Sequence, residues 1–156
     1  VFSFTTNLEH IGDIIDKNLM DLAGKKIKNH SSFSEAGLGE LKQFHGQILA
    51  NLDLALNIFL SRAENLAKEL LRQKTAIRDL ELEFVERHFM RVSGGAADTL
   101  GSSSVHLDVL RDLKRINGHL TSVVYPILEK TGQLVKSRLK DSPTAMTDVA
   151  EPGSGL

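Results

Sequence analysis

Apolar residues recur along this chain at steps of three and four, the spacing of one helix face, over most of its length. Leu8, Ile11, Ile15, Leu19 and Leu22 predict a first helix over 6–28, with Thr6 or Asn7 as its N-cap. Glu9 stands in its first turn, and Lys25, Lys26 and Lys28 crowd its last, the signs that the helix dipole favours. Leu41, Phe44, Ile48, Leu52, Ala55 and Phe59 predict a second helix over 34–60. Gly37, Gly39 and Gly46 weaken its first half by roughly 1 kcal/mol each relative to alanine. Leu66, Leu70, Ile77, Leu80, Phe84 and Val85 mark a third helix over 61–92, with Ser61 as N-cap and Glu64 three residues on. The same pattern is compatible with one long helix bent near Ser61. The stretch 93–104 (SGGAADTLGSSS) reads as a loop whose serines cap a fourth helix over 103–125. That helix carries Val109, Leu113, Ile116, Leu120, Val123 and Val124, and Pro126 ends or kinks it. Residues 127–140 form a short basic amphipathic stretch; residues 141–156 hold little apolar content and are expected to be a disordered tail. The alternation of a strand does not occur. The predicted fold is all-α, an antiparallel bundle of four main helices over 1–140.

Composition narrows the chemistry. In 156 residues, 19 Lys and Arg face 20 Asp and Glu, so the basic excess of a nucleic-acid binder is missing. Trp is absent and aromatic residues make up 5%, which argues against a base-stacking platform. There is no Cys, which excludes disulfides, thiolate zinc sites and Cys nucleophiles; any metal must sit on His, carboxylate, amide or backbone oxygen. The most apolar stretch, 48–60, is interrupted by Asn51, Asp53 and Asn57, short of the ~20 residues a membrane span needs.

Three constellations carry candidate chemistry. Glu9, Asp13 and Asp16 lie within about 60° of one another on the first helix, a carboxylate stripe suited to a hard cation. The alternative is a solvated acidic face with Lys17 nearby. Asp108, Asp112, Arg115 and His119 share a stripe on the fourth helix, again suited to a metal; alternatively the carboxylates pair with Arg111 or Arg115. Glu81 and His88 point toward the apolar stripe of the third helix, where a carboxylate needs a partner such as Lys or Arg from another helix. His10, His30, His45 and His106 show no mutual ligand spacing, with His106 expected to pack at a helix start. No Ser-His-Asp arrangement and no Glu-x-x-His di-iron motif occurs.

The first and fourth helices echo each other: Leu8-Glu9-His10-Ile11-Gly12-Asp13 aligns with Leu113-Lys114-Arg115-Ile116-Asn117-Gly118. The first of these resembles the E-R-I-G-D-type signature of the PhoU family, whose members are tandem three-helix repeats. The resemblance implies that the first helix closes one repeat and the other three form a second. The stretch from the Ser run through His106 to Asn117, with Tyr125-Pro126-Ile127-Leu128 after it, looks like the PhoU-like C-terminal domain of bacterial sodium/phosphate cotransporter family proteins. That resemblance covers about 8–128.

It implies a cytoplasmic domain of an inner-membrane protein, excised before Val1, that regulates phosphate homeostasis without catalysis. Its implied partners are the membrane transport domain of the same parent chain and a second copy of itself, with no nucleic acid. It also implies iron, zinc or another divalent metal on carboxylate motifs. Glu9 and Asp13 keep the family motif, whereas Lys114 and Gly118 replace it in the second repeat; Asp108 and Asp112 keep the spacing one turn earlier. The expected metal-ligating residues are therefore Glu9, Asp13, Asp108, Asp112 and His119. A metal-binding bundle with a storage or enzymatic role is the alternative.

Overall fold

A computed structural model describes residues 2–95, 97–130 and 132. The expected tail over 141–156, and the basic stretch after 130 apart from residue 132, lie outside these residues. The described chain is helical throughout. Helix α1 (Phe2–Asp13) runs without a break through a π-helical segment (Ile14–Leu19) into α2 (Met20–Lys28). Helices α3 (Glu35–Ser61), α4 (Glu64–Ser93) and α5 (Ala97–Thr121) follow, then a 3-10 turn (Ser122–Val124) and α6 (Tyr125–Lys130).

Local chemistry accounts for most boundaries. Ser34 caps α3, its hydroxyl accepting from the Gly37 amide at 3.2 Å. Arg62 ends α3 in the left-handed conformation (φ 56°), and its amide donates to the Ile58 carbonyl at 2.9 Å. Helices α3 and α4 are thus separate, and the bent-helix alternative falls. Ala63, not Ser61, holds the cap position of α4; the Ser61 hydroxyl instead accepts from the Ala63 amide at 3.3 Å. Gly95 takes φ +78° in the turn after α4, a conformation that costs glycine nothing. Pro126 sits in the first turn of α6, where its missing N–H deprives the helix of no bond.

The loop expected over 93–104 is a correction. Helix α5 begins at Ala97, so most of the Ser-rich stretch is helical. Ser102 is buried and Ser103 bonds His88 at 2.7 Å, tertiary contacts that override weak helix propensity. The first helix also starts earlier than expected, at Phe2, and the Asn7 amide donates to the Ser3 carbonyl within it.

Cross-helix pairs fix the topology. Glu40 near the start of α3 meets Arg91 near the end of α4. Along α4 and α5, His88 pairs with Ser103 and Glu81 with Lys114, in opposite chain directions. Asn7 meets His119 and Asn18 meets Asp112, so the first helix runs antiparallel to α5 as well. Helices α3, α4 and α5 form a three-helix bundle around Phe44, Ile58, Leu70, Phe84, Leu110 and Leu120. Helices α1 and α2 lie along the outside of α5. Only one flank of the first helix is therefore covered: Phe4, Ile14 and Leu22 are buried, while Leu8 and Ile15 of the expected stripe are exposed. Among the described residues no helix is long and apolar enough to cross a membrane.

Candidate functional site

Helix α5 touches every other long helix, and polar side chains gather where it does so. Toward the first helix, an open cleft of about 340 Å³ is lined by His10, Asp13, Lys17, Asn18, Arg115 and His119. Asp13 accepts from Lys17 at 2.9 Å, one turn on, with both side chains more than half exposed. This contact and the charges of Asp13, Asp16 and Glu9 raise the Lys17 ammonium above its usual pKa. His119 places Nδ1 2.7 Å from the Asn7 side-chain oxygen and meets the His10 ring edge-on at 5.2 Å. An amide oxygen only accepts, so Nδ1 carries the proton and Nε2 is the unprotonated nitrogen of the neutral ring. Burial, then the neighbouring His10 and Arg115, lowers the His119 pKa and favours that neutral form.

The carboxylates expected on α5 are both met by arginines one turn on. Asp108 accepts from Arg111 at 2.9 Å. Asp112 is 1% exposed and accepts from Arg115 at 2.9 Å and from the Asn18 amide at 3.3 Å. Of the five residues expected to ligate metal, the cleft brings together Asp13 and His119. Glu9 is exposed on α1 and Asp108 half-buried on α5, both outside its lining, and Asp112 lies behind it, reached through Asn18 and Arg115. Among the described residues no three His, Asp or Glu side chains converge in a geometry that holds an ion. The donor set, one carboxylate and two imidazoles interleaved with Lys17 and Arg115, does not fit a resident metal.

The opposite end of α5 builds a buried cluster that periodicity concealed. Glu40, 6% exposed, receives both Arg91 terminal nitrogens at 2.7 Å each, a forked charge-assisted pair. His106, 1% exposed, stacks on His88 with centroids 4.7 Å apart and planes 11° from parallel. Its Nε2 lies 3.4 Å from Glu40, and neither ring nitrogen has a hydrogen-bond partner. Burial first, then the charge of His88 and Arg91 against the opposing pull of Glu40, lowers the His106 pKa to about 4. Gly37 permits this approach: a Cβ there would stand 3.1 Å from Ser34 Oγ and 3.4 Å from the His106 ring. The inward-pointing Glu81 and His88 both occur as the stripe implies, Glu81 paired with Lys114 of α5. Glu40 carried a signal too, since it stands four residues before Phe44 on the same apolar stripe.

Midway along the bundle, the Asn51 amide donates to the Asn117 side-chain oxygen at 2.8 Å, both residues buried. In sequence Asn51 reads only as an interruption of an apolar run.

Comparison with known proteins fits this architecture. The profile described as PhoU domain matches residues 41–126, which covers most of α3, all of α4 and α5, and the start of α6. A Salmonella typhimurium protein named putative inorganic phosphate export protein YjbB is 35% identical over 133 residues, 85% of this chain and 24% of the relative. Proteins of the same name from Escherichia coli O157:H7 and Escherichia coli K12 are each 32% identical over 130 residues, 83% of this chain and 24% of the relative. The chain thus spans about a quarter of the length of the curated relatives it matches. No solved structure matches it significantly. The profile covers more than half of the chain, including the three-helix bundle on which each of these polar sites depends: the chain belongs to the PhoU domain family.

Proposed function

We propose that this chain is a non-catalytic regulatory module of a sodium-dependent phosphate transporter, held on the cytoplasmic side of an inner membrane and acting in phosphate homeostasis. The names of the relatives, which concern inorganic phosphate export, support the transport context. The observation that carries the interaction role is an open apolar groove between the first helix and α3. Its two adjoining stretches, about 350 and 230 Å³, share Leu19, His45 and Leu113. Ile15 and Leu49 stand 46% and 48% exposed along its edge, at spacings that suit the apolar face of another helix. The occupant is a helix of the parent chain's transport domain, or a second copy of this chain in a homo-oligomer.

The test is phosphate uptake and efflux, measured at low and high external phosphate, in cells whose full-length parent lacks this segment or carries Ile15→Glu with Leu49→Glu. Altered flux or lost phosphate dependence supports the reading; unchanged flux at every phosphate level overturns it. Metal on Glu9, Asp13, Asp108, Asp112 or His119 is the secondary reading, favoured by the shared cleft of Asp13 and His119. An ion there displaces Lys17 from Asp13. Elemental analysis after mild purification tests it: stoichiometric iron or zinc, lost in Glu9→Ala/Asp13→Ala, supports the metal, and its absence from the unaltered chain removes it.

A further inference from the structure

The largest cleft in the described chain, about 560 Å³, lies between α4 and α5 and is closed at one end by α6. Neither the apolar groove nor the first-helix cleft adjoins it. Its lining includes Lys74, Thr75, Arg78, Lys114, Gly118 and Tyr125, and no Asp or Glu. The spacing produces this wall directly: residues 74, 75 and 78 share one face of α4, and 114 and 118 face them from α5.

Most other helix cations in the molecule are already matched. Lys17, Lys25, Lys68, Arg72, Arg87, Arg91, Arg111 and Arg115 each meet a carboxylate. In the cleft only Lys114 does, through Glu81. Lys74 instead donates to the neutral Tyr125 hydroxyl at 2.8 Å and lies 5.4 Å from that ring's centroid. Among the described residues no carboxylate stands within 4.0 Å of Lys74 or Arg78. Two like charges are thus held one turn apart on α4 without a counter-ion, an arrangement that destabilises a helix unless an anion joins it. The Tyr125 hydroxyl, having accepted from Lys74, retains its own hydrogen to donate, and Thr75 adds a second hydroxyl.

We infer that this cleft binds a multiply charged phosphoryl anion, with Arg78 and Lys74 as its principal contacts. The guanidinium fork matches two oxygens of one phosphoryl group, and the mobile ammonium reaches a second. Volume decides the size of the ligand. A cleft of about 560 Å³ falls in the range of roughly 300–1,000 Å³ typical of small-molecule sites, far larger than a single orthophosphate fills. Leu71 and Ile77 add apolar wall beside the charges, suited to an organic portion. The inference stands on charge and shape alone and does not depend on the transport reading.

Isothermal titration of the full chain with tripolyphosphate, adenosine triphosphate, orthophosphate and citrate tests it. Tripolyphosphate or adenosine triphosphate should bind in the sub-millimolar range at moderate salt, and at least tenfold more tightly than orthophosphate. Arg78→Ala and Lys74→Ala should each weaken binding roughly tenfold or more, the loss of one charge-assisted contact. Gly118→Leu supplies an independent block: a Cβ at Gly118 meets nothing within 4 Å, so the new side chain enters the cleft without disturbing the helix. It should abolish binding while unfolding stays cooperative. Tighter binding of the nucleotide than of tripolyphosphate assigns the apolar wall to an organic group; the reverse order assigns the site to free polyphosphate. No binding at 10 mM, binding indifferent to Arg78→Ala and Lys74→Ala, or citrate binding as tightly as tripolyphosphate overturns the inference.

Discussion

His106 makes the stability of this bundle depend on pH, and replacing it with phenylalanine isolates the effect. Its ring is buried at the meeting of α3, α4 and α5, facing Glu40, Arg91 and His88, with Phe33 edge-on at 6.2 Å. The folded imidazole, lowered to about 4, binds its proton far less readily than the same ring in the unfolded chain, near 6.5. The unfolded state therefore takes up the proton first as pH falls. The stability linked to this group is fully present above about pH 6.5 and is lost progressively down to about pH 4. Between pH ~7.5 and pH ~5, a shift of this size removes about 2 kcal/mol.

His106→Phe keeps an aromatic ring against His88 and removes two nitrogens without hydrogen-bond partners, so at neutral pH it should be nearly neutral or slightly stabilising. Urea unfolding of both proteins at matched ionic strength gives the measurement. The wild type minus variant difference should become about 2 kcal/mol less favourable between the two pH values, since carboxylates and the other histidines titrate in both. Curves that stay parallel within about 0.5 kcal/mol, or an NMR titration placing the His106 midpoint near 6.5, would refute the reasoning.

Three further outcomes follow from the packing. Arg91→Met leaves the Glu40 carboxylate buried beside a neutral side chain and should cost roughly 3–5 kcal/mol by chemical denaturation, with much of it recovered in Arg91→Met/Glu40→Leu. Asn51→Leu strands the buried Asn117 amide and should cost about 1–3 kcal/mol, whereas Asn51→Leu/Asn117→Leu should cost less than the single change; a double variant less stable than either single one contradicts the pairing. Phe44→Ala empties a fully buried position in contact with Phe84 and should lower stability by about 3–5 kcal/mol; a loss below about 1 kcal/mol would show that this interior is not closely packed.

How far the sequence carries depends on which force sets each feature. The α3 and α4 stripes, the Ser34 cap and the break near Pro126 are local, and periodicity and turn chemistry place them within a few residues. The start of α5 is not local. A run of Gly and Ser with low helix propensity becomes helical because Ser102 is buried against the bundle and Ser103 meets His88, contacts invisible one residue at a time. The face of the first helix was misplaced for a related reason: a stripe of five apolar residues implies one partner surface, but only the flank on α5 is covered. Leu8 and Ile15 remain outside.

The candidate sites divide in the same way. Glu81 and His88 were legible because a polar residue on an apolar stripe calls for a partner. The anion-lined stripes of α1 and α5 were legible as charge, but the neighbouring Lys17, Arg111 and Arg115 that engage them depend on rotamers that spacing alone leaves open. The cationic cleft escaped notice because Lys74 and Arg78 stand on one helix and Lys114 on another, and no local pattern links them.

The π-helical segment at Ile14–Leu19 gives the first helix two phases. Bonds of the i→i+5 type lodge one surplus residue in the turn, so the halves on either side meet α5 in registers that a continuous α-helix would not reproduce. The N-terminal half aims Asn7 at His119, and the C-terminal half buries Leu22. Deleting a single residue within this segment would restore an uninterrupted α ladder yet rotate everything before it by about 100°. Asn7 and His10 would swing away from α5 together, and the rim of the first-helix cleft would be dismantled without any lining residue being changed. Chain length at this point sets an angle, and the geometry of that cleft is tuned by insertion or deletion as much as by substitution.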